Sequence, residues 1–453
     1  METPVRTPKA APVSAVGIVA EYNPLHNGHA YQIKKAKELS GADFCVIAMS
    51  GDFVQRGAPA IFDKYTRTEM ALLSGADLVV EIPPTFAVSS AEDFAACSVA
   101  IFDRMQVVSH LCFGSEHGEI APLLETAQVL VQEPEEFSAV LKRELKLGRS
   151  FPQARIKALE QLPLSASVPG SLLSAPNNIL GVEYLKALIR RNSPIIPITL
   201  KRLGNGYHDI SLSNVAPSAS DSSGCYPLET PLGESCFASA SAIRNALDTL
   251  SNNSSSPNSY ADPEQTLKHL VPDSAWKLMM RCCPVFPNDF SAVLSYRLLE
   301  LLRQNTDLWL FGDVSQDLAS RIRRQIMDTS SFEKRVESLK TRQYTYTRIS
   351  RSLIHLLLNI TKEDISARKG HDYVSYLRVL GFKKQASPLL AQLKRAASLP
   401  LITKTADAAQ ILESQSLQEF YNDLFCSHIY ESTAGLKEGG QRTNEYTHPL
   451  VIL

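Results

Sequence analysis

Two imidazoles three residues apart, with a glycine between them, carry the clearest chemical signal in the chain. They close the run Gly17-Ile18-Val19-Ala20-Glu21-Tyr22-Asn23-Pro24-Leu25-His26-Asn27-Gly28-His29-Ala30. Imidazole N–H groups can donate to phosphate oxygens and can become cationic, and Gly28 lets a ligand come close to the backbone. A helix beginning at Asn27 would add unpaired N–H groups and the positive end of its dipole. The indicated chemistry is substitution at a nucleotide phosphate. His-Asn-Gly-His alone is a weak signal, and the alternative is that His26 and His29 only cap or underpin the helix. Position favours the first reading: residues 16–20 read as a buried parallel strand, Asn23-Pro24 stops it, and 27–39 reads as the following helix.

Adenylyl transfer needs an in-line nucleophile and neutralisation of the phosphate charge more than covalent help. Lys201, Arg202 and Arg244 can hold β- and γ-phosphates, and Ser239 and Ser241 precede Arg244 at a second helix start. Gln55 and Arg56 are candidate phosphate or acetate contacts, with a salt-bridged loop as the equal alternative. Glu21 follows the strand directly and is a candidate for a backbone or Mg²⁺ contact. Lys64 and Arg67, at helical spacing, read as surface charges. His208 reads as a substrate or structural contact. No Walker sequence and no Gly-x-Gly-x-x-Gly fingerprint is present, which disfavours P-loop and dehydrogenase chemistry.

The elements that must position these groups alternate strand and helix over the first hundred residues, as in an open parallel α/β sheet of Rossmann type. Strands are expected at 44–49, 77–82, 107–113 and 195–200. Helices are expected at 64–73, at 89–105 with a serine N-cap, and at 182–191. Unusual segments follow the strands at their carboxyl ends, where open α/β sheets bind ligands: His26 to His29, residues 50–57, Glu81-Ile82-Pro83-Pro84 and Gly114-Ser115-Glu116. The expected organisation is a flexible arm (1–15), a catalytic domain (16–250) with a mobile loop (213–235), and a linker (251–263). A mostly α-helical basic domain (264–430) and a loosely ordered tail (431–453) complete it.

The 453 residues are 44% hydrophobic and 21% charged with net charge −1, an ordinary globular balance. No stretch has the apolar length of a membrane span, so a soluble cytoplasmic protein with no membrane partner is expected. The eight cysteines form no Cys-x-x-Cys or zinc spacing and are expected to be reduced. Residues 321–404 hold eighteen Lys and Arg against six Asp and Glu, whereas the rest of the chain is acidic. Cations there interleave with tyrosines. Arg368, Lys369, Arg378, Lys383, Lys384, Lys394 and Arg395 are the expected RNA contacts, the alternative being solvated helix faces.

His26-Asn27-Gly28-His29 with Ser239-Ala240-Ser241-Ala242-Ile243-Arg244 downstream is similar to the signatures of HIGH-type nucleotidyltransferases. Together with Ser50-Gly51-Asp52-Phe53-Val54-Gln55-Arg56-Gly57, Phe113-Gly114-Ser115-Glu116, Pro176-Asn177-Asn178-Ile179-Leu180-Gly181 and Gly206-Tyr207-His208-Asp209, it resembles the bacterial tRNA(Met) cytidine acetate ligase family. The resemblance implies ATP-dependent activation of acetate as acetyl-adenylate, without acetyl-CoA. The acetyl group then passes to N4 of the wobble cytidine of elongator tRNA(Met). It further implies an ATP site formed by residues 17–30, Gly114, Asn177 (in preference to Asn178) and Arg202, with His26, His29 and Arg202 catalytic and Mg²⁺ as counter-ion. Asp52 stands where this family often has Asn, and its charge needs Arg56, a lysine or Mg²⁺ beside it. The rival readings are a nucleotidyltransferase acting on a small phosphorylated metabolite and a non-catalytic RNA-binding protein.

Overall fold

The computed structural model of the chain describes residues 13–149, 151–162, 168, 172–202, 238–252, 263–328, 331–341, 343–438 and 444–453. Nearly all of the expected arm and linker, the whole 213–235 loop and the motif at 206–209 with His208 lie outside these residues. Among the described residues there are ten strands: β1 (Ala15–Ala20), β2 (Phe44–Ser50), β3 (Phe53–Val54), β4 (Ala58–Pro59), β5 (Leu78–Ile82), β6 (Val108–Ser115), β7 (Ile196–Lys201), β8 (Leu377–Phe382), β9 (Leu401–Ile402) and β10 (Val451–Ile452).

The central sheet runs β10-β8-β5-β2-β1-β6-β7, with β9 beside β8. Its body, β5-β2-β1-β6-β7, is all parallel, as the unbroken apolar runs required. Side chains alternate across β1: Val16 and Ile18 pack with Ile33, Ala36 and Met70 on one face. On the other face the Phe102 ring fills the place where a Gly17 side chain would stand. That second face is covered by the helices Ala91–Met105 and Pro176–Arg190, through Phe94, Cys97, Ile101, Val182 and Leu185. Each such side chain taken fully out of water contributes about 1.5–3 kcal/mol. Ser90 caps the helix Ala91–Met105 by accepting the Asp93 N–H at 3.2 Å, and Asp63 caps Lys64–Leu73.

Three expectations need correction. The helix expected at 182–191 begins at Pro176, since proline is favoured in a first turn, so Asn177 and Asn178 are helical. The stretch at 50–57 is not plain loop: it holds β3 and the turn of a hairpin whose second strand, β4, follows it directly. The carboxyl-terminal region is mostly helical as expected, but it returns to the sheet: β8 joins antiparallel to β5, and β10 extends it from the tail expected to be loose. A six-residue apolar run such as Leu377–Phe382 reads equally well as strand or buried helix, and only its tertiary neighbours decide. Gly381 has no room for a side chain, with Thr68 and Val451 both within 3 Å of where Cβ would be. The helices between 291 and 357 do have a core of their own, into which Phe53 and Val88 insert from the sheet side. No described helix is long and apolar enough to cross a membrane. The six described cysteines are free.

Candidate active site

β1 is central in the parallel body, with β2 and then β5 laid down on one side before the chain crosses back to place β6 and β7 on the other. The crevice at such a reversal of strand order is where open α/β sheets take ligands. Tyr22 turns the chain out of β1 with left-handed backbone (φ 46°), which costs roughly 1–2 kcal/mol. Neighbouring bonds hold that turn. The Arg67 guanidinium donates to the Glu21 carbonyl at 2.7 Å, and Arg244 donates to that of Asn23 at 2.6 Å. The Asn23 side chain accepts the Ile61 N–H at 2.8 Å.

The helix Asn27–Ser40 then begins with His26 as its N-cap. Its Nδ1 accepts the Gly28 N–H at 3.1 Å, and Nδ1 of His29 accepts the His26 N–H at 3.3 Å. The two rings stack with centroids 3.7 Å apart, and the Tyr22 ring meets His29 edge-on at 5.0 Å. A nitrogen that accepts cannot carry the proton, so each neutral ring bears it on Nε2.

Two expectations change here. First-turn amides thought to await a phosphate are already bonded, Asn27 to the Leu270 carbonyl, Gly28 to the His26 ring and His29 to the His26 carbonyl. The imidazoles are also neutral. Burial, with Arg202 and Arg244 adding repulsion, lowers His26 to about 3, and burial with His26 and Arg202 nearby pushes His29 well down. The corner therefore offers a polyphosphate two ring N–H donors amid fixed cations.

A cleft opens at this corner, lined by His26, Gly28, His29, Tyr31, Gln32, Gly114, Leu200, Lys201, Arg202, Ala238 and Ser239. It unites the end of β1, the ends of β6 and β7, and the start of the helix Ala240–Asn252, whose Ser239 cap accepts the Ala242 N–H at 3.1 Å. Gly114 lies beside Arg202, whose Cγ is 3.4 Å from where a Gly114 side chain would begin. Arg202 Nη1 reaches Asn177 Oδ1 at 3.5 Å. Asn178 is engaged elsewhere: its side chain accepts the N–H groups of Glu116 and His117 and donates to the Leu172 carbonyl. The Glu116 carboxylate in turn accepts three N–H bonds at the start of the helix Pro176–Arg190.

The other residues of the 17–30 run support this corner from behind. Ile18, Tyr22, Asn23, Pro24 and Leu25 are buried, and Val19, Ala20 and Ala30 are half-buried. Asn27 is tied to the His269 carbonyl at 2.8 Å. Gln55 and Arg56 flank the corner on the β2 side, where the Gln55 N–H meets Glu21 Oε1 at 2.9 Å and the Gln55 amide bonds the Ser89 carbonyl. Ser241 accepts from Arg244 at 3.0 Å. Tyr31, Gln32, Leu200 and Ala238 were missed in the sequence. Helical spacing puts Tyr31 and Gln32 one turn beyond Gly28 and His29, and that signal was available.

Lys64 and Arg67 are not surface charges; both are fully buried. Lys64 lies 2.9 Å from Glu81 and from Glu445 and 3.9 Å from Asp52, so the lysine that Asp52 requires is this one. Burial pushes the Asp52 carboxyl up to about 6. Two expected RNA contacts are also corrected. Arg368 is buried against Asp423 and the Glu419 carbonyl, and Arg378 is buried between Glu445 and Glu81, so neither can meet a phosphate. Lys369 is exposed and pairs with Asp93 at 2.6 Å. Lys384, Lys394 and Arg395 are exposed and Lys383 is half-buried. Phe382 pairs with Leu78, the first residue of β5, so Lys383 and Lys384 sit at the sheet edge opposite the histidines.

Comparison with known proteins agrees with this geometry. The profile of the HIGH Nucleotidyl Transferase family matches residues 13–222 and 228–445. The tRNA(Met) cytidine acetate ligase of Acetivibrio thermocellus is 36% identical over 97% of this chain and its own full length. That of Caldanaerobacter subterraneus subsp. tengcongensis is 35% identical with the same coverage. The crystal structure of Thermotoga maritima TmcAL bound with alpha-thio ATP superposes with a TM-score of 0.81 at 27% identity, covering 97% of this chain and 99% of that one. Its apo form gives 0.82 at 28% identity. With a histidine-lined cleft at the end of β1 and near-complete matches of this kind, the chain belongs to the tRNA(Met) cytidine acetate ligase family of HIGH nucleotidyltransferases.

Proposed function

We propose that this protein activates acetate with ATP and transfers the acetyl group to N4 of the wobble cytidine of elongator tRNA(Met). An acetate oxygen attacks the α-phosphorus, the bond to pyrophosphate breaks, and acetyl-adenylate remains. The cytidine N4 amine then attacks the acetyl carbon, the bond to AMP breaks, and N4 loses a proton. Acetyl-CoA takes no part.

The observation that carries this reading is the stacked His26–His29 pair facing Lys201 and Arg202 across one cleft. Both Nε2–H groups donate to phosphate oxygens, where charge grows as pyrophosphate leaves. Arg202, with Asn177 beside it, and Lys201 hold the remaining phosphate charge, and Gly114 gives the nucleotide room. Residues 17–30 act chiefly by building the corner. Among the described residues no three His, Cys, Asp or Glu side chains gather into a metal site, so Mg²⁺ would be held largely by phosphate oxygens and water. The exposed cations of residues 321–404 fit an RNA substrate.

The test is to incubate the protein with ATP, labelled acetate and separate tRNA species and to digest the RNA to nucleosides. Label in N4-acetylcytidine of elongator tRNA(Met), with AMP and pyrophosphate released, is the expected result. Full-rate ATP consumption with a small phosphate ester and no modified cytidine would instead establish the metabolite nucleotidyltransferase.

A further inference from the structure

The basic residues 321–404 do not form one surface. Arg368 and Arg378 are interior, and Lys383 and Lys384 lie at the edge of the sheet remote from the chemistry. The cleft itself has a handedness. Gly114, Leu200, Lys201 and Arg202 come from the ends of β6 and β7, so a nucleotide held by them leaves the β2 side of β1 for the second substrate.

That side is built jointly by the β3–β4 turn and the helix Tyr346–Leu357. A side chain on Gly57 (φ 77°) would stand 2.3 Å from the Arg351 backbone nitrogen, so turn and helix are in direct contact. The Ser350 hydroxyl donates to the Gly57 carbonyl at 2.6 Å. The same turn is anchored to the end of β1 through the Gln55 N–H on Glu21. Arg56, immediately before Gly57, is exposed. Arg348 lies one helical turn before Arg351, half-buried, with its guanidinium 5.1 Å from the centre of the Tyr344 ring. Arg351 is committed to Asp313 at 2.7 Å, whereas Arg348 has no ion-pair partner within 4 Å among the described residues and meets the Asp313 charge only at longer range. A guanidinium lying on a ring is oriented in advance and keeps its edge N–H groups for a planar anion such as phosphate.

Resting on the ligase reading above, we propose that the RNA strand carrying the target base crosses the β3–β4 turn and the amino-terminal half of the Tyr346–Leu357 helix, its phosphates meeting Arg348 and Arg56. The base then enters the histidine corner from the β2 side. The exposed lysines after β8 lie off this path. Arg348 is a binding residue for RNA alone and has no part in forming the adenylate.

The experiment uses the full chain carrying Arg348→Ala or Arg348→Glu, with Lys383→Ala/Lys384→Ala as the far-edge comparison. Acetate-dependent exchange of pyrophosphate into ATP, measured without RNA, tests the ligase reading in the wild type and the integrity of the fold in each variant. Direct binding of tRNA over a range of salt tests the surface independently of catalysis. Both Arg348 variants are expected to keep wild-type exchange. They should bind tRNA several-fold more weakly, and Arg348→Ala should lose about one unit of salt slope. Wild-type tRNA affinity and slope in Arg348→Glu overturn the proposal. So does a larger loss in the far-edge pair than in Arg348→Glu.

Discussion

The backbone N–H of His26 donates to Nδ1 of His29, and the ring that accepts it lies stacked on the His26 ring at 3.7 Å. Each histidine thereby serves the helix start with one nitrogen and faces the cleft with the other. His29→Ala removes a donor aimed where phosphate charge develops, at a cost of about two to three orders of magnitude in acetate-dependent pyrophosphate exchange. The helix loses one cap bond, so the far-ultraviolet circular dichroism stays native. Unchanged exchange would refute a phosphate role for this ring.

Neutral burial of His26 has a consequence for stability. Its folded-state pKa is about 3, against about 6.5 in the unfolded chain. Below pH 6.5 the unfolded chain takes up the proton first, so this contribution to stability is complete above 6.5 and drains away as pH falls toward 3. His26→Asn keeps an N-cap acceptor and removes the titration. Between pH 7 and 5 the melting temperature should drop more in the wild type than in His26→Asn, and equal drops would contradict the assignment.

Legibility in the sequence tracked locality. The strand, proline and His-Asn-Gly-His succession fixed the corner because all its parts lie within fifteen residues, and Ser90 announced its helix in the same way. Long-range closure was not legible. Nothing in Leu377–Phe382 says that it will pair antiparallel with β5, three hundred residues earlier. Nor do Lys64 and Arg67 show by spacing that they face inward, because their partners, Glu445 for one and the carbonyls of two strand ends for the other, are brought together only by the completed sheet. Periodicity reports which face a residue lies on, not what charge awaits it there.

Arg67 shows what such a partner set does. Its guanidinium donates to the carbonyls of Glu21, Ser50, Gly51 and Phe62, binding the ends of β1 and β2 to the helix Lys64–Leu73. Arg67→Met leaves several buried carbonyls without donors, each costing about 1–3 kcal/mol. The unfolding midpoint in urea should fall sharply. Arg67→Lys, which can satisfy part of the set, should fall less and should raise KM for ATP by displacing Glu21 and the turn before His26. A stability equal to wild type in Arg67→Met would show that these bonds do not hold the corner.

Glu445 closes the structure from the other end of the chain. Its carboxylate meets the buried Lys64 at 2.9 Å, the half-buried Tyr65 hydroxyl at 2.8 Å and the buried Arg378. Burial alone would raise its pKa, but Lys64 and Arg378 outweigh that and hold it well below the usual carboxylate range. The stabilisation is therefore present above the unfolded value near 4.5 and is lost as pH falls below it. Glu445→Gln strips one anion from a cluster with two buried cations, a change that costs about 3–5 kcal/mol at pH 7. It should also flatten the acid side of the stability profile. Because β5 through Glu81, β8 through Arg378 and the helix Lys64–Leu73 all converge on this cluster, the loss should appear as lower global stability in urea rather than local fraying near 445. Protection of β1 and β2 amides from hydrogen exchange should fall with it, and if those amides stayed as protected as in the wild type, the tail would be shown to pack on the sheet without supporting it.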